Sequence, residues 1–300
     1  REPETTSLLR SIPNESLHLK TPRQQYFRPT TLKEALSLKH QHPEALIICG
    51  ATDVALRVTK KHELLKEIID LSAIEELKTV DDTPSTLSIG AGVPLTDAMP
   101  LLVKHFPALH GMLTVFGSQQ IRNLATFGGN LGTASPIGDT MPVLMAYNAK
   151  VVLQDVDGKR EVSLDDYIVG YRKTVRKPDE LITAVTIPKM VNGALVRSYK
   201  VSKRKDLDIS TVSAGFRLEL NGGRTVESIK LAYGGMAETT RRASTAEQFL
   251  AGKRWERRTV EEAMALIEKE FSPISDARGS AEFRTVAAKN LLLKFWSETT

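Results

Sequence analysis

Near the middle of the chain, residues 116–139 read FGSQQIRNLATFGGNLGTASPIGD. The paired glycines Gly128 and Gly129 let a backbone approach a ligand closely, because they carry no Cβ. Ordering so long a stretch of small residues costs conformational entropy that a bound ligand would offset. We therefore predict a ligand-binding loop, in which Thr126 and Asn130 contact phosphate oxygens and Asp139 accepts hydrogen bonds from ribose or ribityl hydroxyls.

A second glycine turn lies upstream of this loop. The apolar run Ala45–Cys49 ends at Gly50 and is followed by Ala51-Thr52-Asp53. A strand that ends in such a turn can aim backbone N–H groups at a phosphate, although a plain turn is the more ordinary interpretation of this segment alone. Neither of the two standard glycine-rich phosphate motifs occurs in the chain.

The composition limits the class of protein. Of the 300 residues, 41% are apolar and 26% are charged, which excludes a disordered chain. The single cysteine, Cys49, excludes a disulfide framework and an iron–sulfur cluster held by this sequence. No uninterrupted apolar run is long enough for a membrane helix. We expect a soluble, cytoplasmic protein without membrane contact.

The formal net charge is +5, with Lys and Arg outnumbering Asp and Glu by 41 to 36. The densest basic runs are Lys203–Lys205, Arg241-Arg242 and residues 253–258. One cysteine allows no zinc-finger spacing, and no aromatic RNA-recognition motif is present. We interpret these runs as solvated surface and expect no nucleic acid as a partner, with nucleic-acid binding kept as an alternative.

The order of strand-like and helical segments predicts an α+β fold. Strands are expected at 45–49, 87–89, 150–154, 181–187, 195–201, 211–220 and 225–233, and helical periodicity dominates after Ser244. This order lacks the regular βαβ alternation of a doubly wound sheet. We predict a linker or arm at residues 1–22, a first domain at 23–192 and a smaller second domain at 193–300.

The glycine-rich stretch resembles a known family. Gln120-Ile121-Arg122-Asn123 and Ala125-Thr126, then Gly128-Gly129-Asn130 and Ala134-Ser135-Pro136-Ile137, are similar to the FAD-binding segment of the molybdenum hydroxylases, in particular the xanthine dehydrogenases. The resemblance continues at residues 47–54, 170–174, 178–182 and 233–237, in the family's order. It implies an FAD-binding domain of the vanillyl-alcohol-oxidase/PCMH type, followed by a smaller α+β flavoprotein C-terminal domain.

The resemblance also assigns cofactor-binding residues. FAD pyrophosphate and its neighbouring hydroxyls would be held, largely through backbone, by Ile47, Ile48, Cys49, Gly50, Ala51, Thr52, Asp53, Val54, Thr126, Phe127, Gly128, Gly129 and Asn130. Asp139 matches an acid that contacts FAD. Phe116 matches an aromatic residue stacked on the isoalloxazine ring, Ile182 an apolar residue lining it, and Lys200 a lysine near the flavin.

The same resemblance implies partners and a reaction. Electrons would come from iron–sulfur clusters on another segment or subunit, next to a molybdopterin-binding subunit, and would pass from reduced flavin to NAD or oxygen during purine hydroxylation. This chain would supply no catalytic residue and no metal ligand, and would belong to a hetero-oligomer. The sequence departs from the family's common pattern at Ala51 in the first loop and in the charge order of residues 203–208. These two departures leave the identity of the electron acceptor open.

Other interpretations stay open. The flavin segment would also suit an aldehyde oxidase, a carbon monoxide dehydrogenase or a nicotinate-type hydroxylase, although residues 233–237 with Ser135-Pro136-Ile137 favour the xanthine branch. A nucleotide- or nucleic-acid-binding module without redox activity is a second alternative. A metal site at His40-x-His42 is disfavoured, because polar residues are ordinary at a helix end. Cys49 is expected to be a small core residue rather than a nucleophile.

Overall fold

The structure, a computed structural model, describes residues 2–190 and 193–300. Part of the predicted domain boundary, at residues 191–192, therefore lies outside the described residues. The helices are α1 Glu2–Ser11, α2 Leu32–Gln41, α3 Ala55–Thr59, α4 Leu95–Leu102, α5 Pro107–Thr114, α6 Gln119–Arg122, α7 Phe127–Thr133, α8 Thr140–Ala146, α9 Leu164–Tyr167, α10 Ser244–Leu250, α11 Arg257–Glu270 and α12 Ala281–Thr299. A 3₁₀ turn covers Glu75–Lys78.

The strands alternate with these helices in the first half and precede the long helices in the second. They are β1 Leu17–Lys20, β2 Gln25–Arg28, β3 Leu46–Ile48, β4 Glu67–Asp70, β5 Val80–Asp82, β6 Thr86–Gly90, β7 Lys150–Gln154, β8 Lys159–Ser163, β9 Ile168–Gly170, β10 Lys173–Thr174, β11 Leu181–Pro188, β12 Leu195–Val201, β13 Val212–Leu220, β14 Val226–Gly234 and β15 Arg241–Arg242. The α+β prediction is confirmed.

A small mixed sheet opens the chain. Within the described residues its order is β1-β2-β4-β3, with β2 and β3 both parallel to β4. Strand β1 pairs antiparallel with β2, so part of the segment predicted to be a linker is a strand, and residues 2–11 are helical rather than irregular. Thr31 caps the N-terminus of α2, because its hydroxyl accepts from the Glu34 N–H at 3.2 Å.

An antiparallel sheet forms the centre of the first half. Its order is β5-β6-β11-β7-β8, and a turn at Asp157-Gly158 joins β7 to β8. The Asp155 carboxylate stabilises this turn by accepting from the N–H groups of residues 157 and 158, each at 3.0 Å. Helices α4, α5, α7 and α8 contribute buried apolar residues to the same core as this sheet, and this core is the largest of those described.

The second half is an antiparallel sheet of order β12-β13-β14-β15 packed against α10, α11 and α12. Its core is separate and rich in aromatic residues. The two halves are in direct contact where β13 crosses α8. A Cβ added to Gly215 would lie 2.2 Å from the Pro142 carbonyl carbon, so only glycine allows this approach. In the part of the chain that the structure describes, no helix combines the length and apolarity needed to cross a bilayer.

Candidate functional site

The first predicted binding segment, residues 47–54, runs from β3 into the start of α3. Ile47 and Ile48 pair with β4, which fixes the position at which the chain turns. A Cβ on Gly50 would lie 1.8 Å from the Leu124 carbonyl oxygen. The backbone of the first loop therefore touches the backbone of the second, and the structure brings the two predicted segments together.

The conformation of this loop suits an anion. Ala51 adopts a left-handed φ of +56°, a conformation that helps successive N–H groups to converge and that costs a non-glycine residue about 1 kcal/mol. No hydrogen bond described for the chain is donated by the N–H groups of residues 50–53. Those groups are consequently available to a ligand.

Two side chains of the first loop have other surroundings. Asp53 pairs with Arg172 at 3.5 Å, and both side chains are about half exposed, so the pair contributes little to stability. Burial, together with the charge of Asp70, raises the pKa of the Cys49 thiol to about 11. A thiol of that pKa is a poor nucleophile at neutral pH, in agreement with the expected core role.

The second segment is not the open loop that the sequence suggested. It forms α6 and α7 and then enters α8, because two hydroxyl groups cap short helices. Ser118 accepts from the Ile121 N–H at 3.2 Å and Thr126 accepts from the Gly129 N–H at 3.0 Å. The local sequence does not predict these caps, since the glycines that follow them are poor helix formers.

The paired glycines have different environments. A Cβ on Gly128 would lie 2.6 Å from the Ala91 Cβ, so Gly128 is required for packing against the end of β6. Gly129 is exposed and an added Cβ would meet only the Thr126 hydroxyl, at 3.2 Å. Phe127 is fully buried in the core, and only its backbone can face a ligand. Open space at the α7 N-terminus is therefore centred on Gly129.

Asp139 and Lys200, predicted separately, form a buried pair. The Lys200 ammonium lies 2.7 Å from one Asp139 carboxylate oxygen, and the Ser210 hydroxyl donates to the other. Lys200 also donates to the Val115 carbonyl at 3.1 Å. Since the first domain supplies Asp139 and the second supplies Lys200 and Ser210, the contact joins the two halves beside Phe116.

The remaining predicted residues lie around this centre. Phe116 is partly buried and packs against the main core. Asn130 accepts a hydrogen bond from the Thr140 hydroxyl at the start of α8. Ile182 lies at a bulge in β11, and its Cδ1 atom is 3.4 Å from where a Gly132 Cβ would be. Ile182 therefore lies against α7, the helix that carries Gly129 and Asn130.

Sequence reasoning missed Ser210, Ala91 and Arg172. Ser210 precedes β13, which pairs antiparallel with β12, and the Thr211 N–H donates to the Val201 carbonyl at 2.8 Å. The hairpin register between these predicted strands was the available signal. No sequence spacing indicates the contact of Ala91 with Gly128, which depends on how β6 packs against α7.

The basic runs and the histidines are largely engaged in local contacts. Arg257 and Arg258 pair along α11 with Glu261 and Glu262, and Arg204 pairs with Asp208. His40 lies 3.9 Å from Asp179, and His42 lies 3.4 Å from Glu67. Among residues 2–190 and 193–300, no three His, Cys, Asp or Glu side chains are grouped as a metal site.

These observations fit an FAD. The free N–H groups of residues 50–53 and the exposed Gly129 suit a pyrophosphate. A carboxylate accepts about four hydrogen bonds, and each Asp139 oxygen has one described donor, so capacity for a ribityl hydroxyl remains. The fold and these loops define the class of the protein as an FAD-binding domain joined to a flavoprotein C-terminal domain.

The comparison with protein families gives the particular family. Residues 21–190 match the model described as the FAD binding domain in molybdopterin dehydrogenase, and residues 197–299 match the CO dehydrogenase flavoprotein C-terminal domain. The chain belongs to this family of FAD-binding domains, as the resemblance of residues 116–139 predicted.

Curated relatives and solved structures agree with this membership. Xanthine dehydrogenase/oxidase of Gallus gallus is 36% identical over 91% of this chain, and xanthine dehydrogenase of Emericella nidulans is 33% identical over 92%. The chain spans about a fifth of each relative, 21% in both cases. A carbon monoxide dehydrogenase chain of Hydrogenophaga pseudoflava superposes with a TM-score of 0.85 at 25% identity, covering 92% of this chain and 96% of that one. A quinoline 2-oxidoreductase chain of Pseudomonas putida 86 superposes with a TM-score of 0.83 at 26% identity, covering 93% of this chain and 98% of that one.

Proposed function

We propose that the chain is the electron-transferring flavin segment of a xanthine-dehydrogenase-like molybdenum hydroxylase, an oxidoreductase of the cytoplasm. The observation that carries this proposal is the contact between the two binding segments at Gly50 and Leu124, in a chain 36% identical to a xanthine dehydrogenase/oxidase. Iron–sulfur and molybdopterin-binding partners, and NAD or oxygen as acceptor, are part of the proposal. The domain limits 23–192 and 193–300 are proposed with it, supported by family matches at 21–190 and 197–299.

When bound, FAD would supply the redox chemistry that links iron–sulfur clusters to NAD or oxygen. The chain's own residues bind and orient. The N–H groups of residues 50–53 would hold the pyrophosphate beside the open space at Gly129, and Asp139 would accept from a ribityl hydroxyl. Phe116 and Ile182 would enclose the ring system with apolar surface and exclude water. No side chain of this chain is needed as a general acid or base.

Lys200 would have an electrostatic part in this arrangement. Two of its three ammonium donors are used in the described structure, by Asp139 and by the Val115 carbonyl. The third remains for a ligand atom. A cation whose side chain is 7% exposed would favour added negative charge nearby more strongly than a solvated one.

The test is the visible absorption spectrum of the purified chain, followed by denaturation and identification of the released chromophore. We expect FAD at one per chain, or uptake of added FAD by a colourless preparation. Anaerobic NADH should then bleach the flavin if NAD is the natural acceptor. A chain that is colourless and takes up no FAD would contradict the proposal.

The second candidate is the equivalent segment of a carbon monoxide dehydrogenase or an N-heterocycle hydroxylase. It is favoured by the superposition on carbon monoxide dehydrogenase and quinoline 2-oxidoreductase chains with TM-scores of 0.85 and 0.83. Substrate profiling of the whole complex separates the candidates. Oxidation of xanthine supports the first, and turnover of carbon monoxide or a quinoline without xanthine turnover supports the second.

A further inference from the structure

Three consecutive backbone carbonyl groups beside the proposed flavin site each accept a hydrogen bond from a cationic side chain. Arg122 Nη1 donates to the Phe116 carbonyl at 2.8 Å and to the Gly117 carbonyl at 3.3 Å. Lys200 Nζ donates to the Val115 carbonyl at 3.1 Å. Hydrogen bonds from charged donors are roughly twice as strong as neutral ones. Residues 115–117 are therefore held from two directions.

The Arg122 guanidinium is itself held in place. Its Nη2 donates to Gln119 Oε1 at 3.2 Å. The Gln119 amide nitrogen donates to Asn123 at 2.8 Å and to Thr96 at 3.2 Å. The Nε atom of Arg122 is buried without a hydrogen-bond partner in the described part of the chain. A guanidinium enclosed in this way has few alternative positions.

The backbone that Arg122 binds is a tight turn. Gly117 has a left-handed φ of +51°, and a Cβ there would lie 3.1 Å from Ile121 Cγ2. Such a turn can rotate its peptide groups unless their carbonyls are fixed. Any rotation would change the direction in which the partly buried Phe116 ring points.

We propose that Arg122 is a positioning residue for the flavin site, which fixes the Phe116–Gly117 backbone and thereby the orientation of the Phe116 ring. Lys200, which lies in the second domain, donates to the preceding carbonyl, that of Val115. The placement of the second domain therefore contributes to the same ring orientation. The inference rests on the proposed function, because Phe116 is the residue expected to lie against the isoalloxazine ring. Arg122 acts through Phe116 and does not touch the ring system.

The first test needs no flavin. Hydrogen exchange of the unliganded full chain is compared for the wild type, Arg122→Gln and Arg176→Gln. The control removes a guanidinium with matched contacts elsewhere, since Arg176 Nη1 donates to the carbonyls of residues 180 and 177 at 2.6 and 3.3 Å. We expect peptides covering residues 113–124 to exchange about ten-fold faster in Arg122→Gln only. Unchanged exchange there would overturn the proposal.

The second test is a double-mutant cycle with Phe116→Ala, measuring FAD affinity and the fluorescence of bound flavin. We expect each single variant to weaken FAD binding about ten-fold and to raise the fluorescence, because a displaced ring quenches less. On the Phe116→Ala background, Arg122→Gln should weaken FAD binding by less than about a further two-fold. Arg122→Lys should recover part of the FAD affinity that Arg122→Gln loses. Effects that multiply to about 100-fold would show that Arg122 does not act through Phe116.

The two tests separate the inference from the function on which it rests. A wild-type chain that binds no FAD would overturn the proposed function, and the role of Arg122 toward a flavin with it. The exchange measurement would still decide whether Arg122 fixes residues 115–117. If the wild type binds FAD and Arg122→Gln binds it with the same affinity, the inference is overturned and the proposed function stands.

Discussion

Lys200 of the second domain and Asp139 of the first lie 2.7 Å apart, with their side chains only 7% and 8% exposed. An ion pair so far from water is stable only when each partner remains, because an uncompensated buried charge is costly. The pair connects the end of the second binding segment, residues 116–139, to β12. Association of the two domains and formation of the proposed flavin site are therefore coupled through this pair.

Removal of one partner of this pair tests that connection. Lys200→Met leaves the Asp139 carboxylate with Ser210 as its described donor, and we expect a loss of about 3 kcal/mol in the free energy of unfolding together with loss of FAD binding. Urea denaturation measures the first and flavin titration the second.

A double variant and a matched control complete this experiment. Lys200→Met with Asp139→Asn should be less destabilised than the sum of the single variants, since the stranded charge is gone. Lys230→Met is the control, because Asp165 retains Arg242 at 3.0 Å when Lys230 is removed. Equal destabilisation by Lys200→Met and Lys230→Met would contradict the prediction.

The adjacent glycines of α7 should respond differently to alanine. Gly128→Ala places a Cβ 2.6 Å from the Ala91 Cβ, and we expect destabilisation of about 1–3 kcal/mol. Gly129→Ala meets only a hydroxyl at 3.2 Å, so the stability should be unchanged or slightly higher, as for alanine in a helix. FAD affinity should nevertheless fall in Gly129→Ala, because the methyl group occupies the proposed cradle. Full FAD affinity in that variant would exclude Gly129 from the site.

Cys49 is a built-in reporter of the first loop. Burial raises the pKa of its thiol from 9.0 to about 11, which lowers the thiolate fraction at pH 8 by about 100-fold. We expect the folded chain to react with a disulfide reagent at least that much more slowly than the urea-unfolded chain. Saturating FAD should slow the reaction further, since Cys49 precedes Gly50. Rapid reaction of the folded chain would show that the loop opens readily.

The second domain should lose stability in acid through Asp276. Burial alone would raise the pKa of this carboxyl, but the Arg278 N–H and the guanidinium groups of Arg284 and Arg278 outweigh it and lower the pKa from 3.8 to about 2. A group with a depressed folded-state pKa stabilises the fold above its unfolded pKa, and the benefit disappears as the pH falls through the folded value.

Asp276→Asn should consequently cost about 1–2 kcal/mol at pH 7 and almost nothing near pH 2. Chemical denaturation at a series of pH values measures the difference. Asp81→Asn, at an exposed position on β5, is the control and should show no such dependence. A cost that stays constant from pH 7 to pH 2 would exclude the ion pair as its source.

Local sequence patterns predicted seven of the fifteen described strands but misjudged the binding loop. The alternation in residues 181–187 and 211–220 has a clear period, and both segments are strands. Residues 117–139 contain many glycines, and their helical turns depend on the caps at Ser118 and Thr126. The β1 strand was missed although Leu17 and Leu19 alternate with polar residues, because the strand has four residues and both of its faces are exposed.

The sequence by itself determined the α+β class, the family and the two segments that are proposed to hold FAD, because these depend on residue types in a fixed local order. The tertiary structure decided which residues meet: Gly50 with Leu124, Gly128 with Ala91, Asp139 with Lys200 and Ser210, and Arg122 with the carbonyls of Phe116 and Gly117. Such contacts depend on strand register and on the packing of helices against sheets. Neither can be predicted from the spacing of residues along one segment, because each depends on how two distant segments are placed together in space.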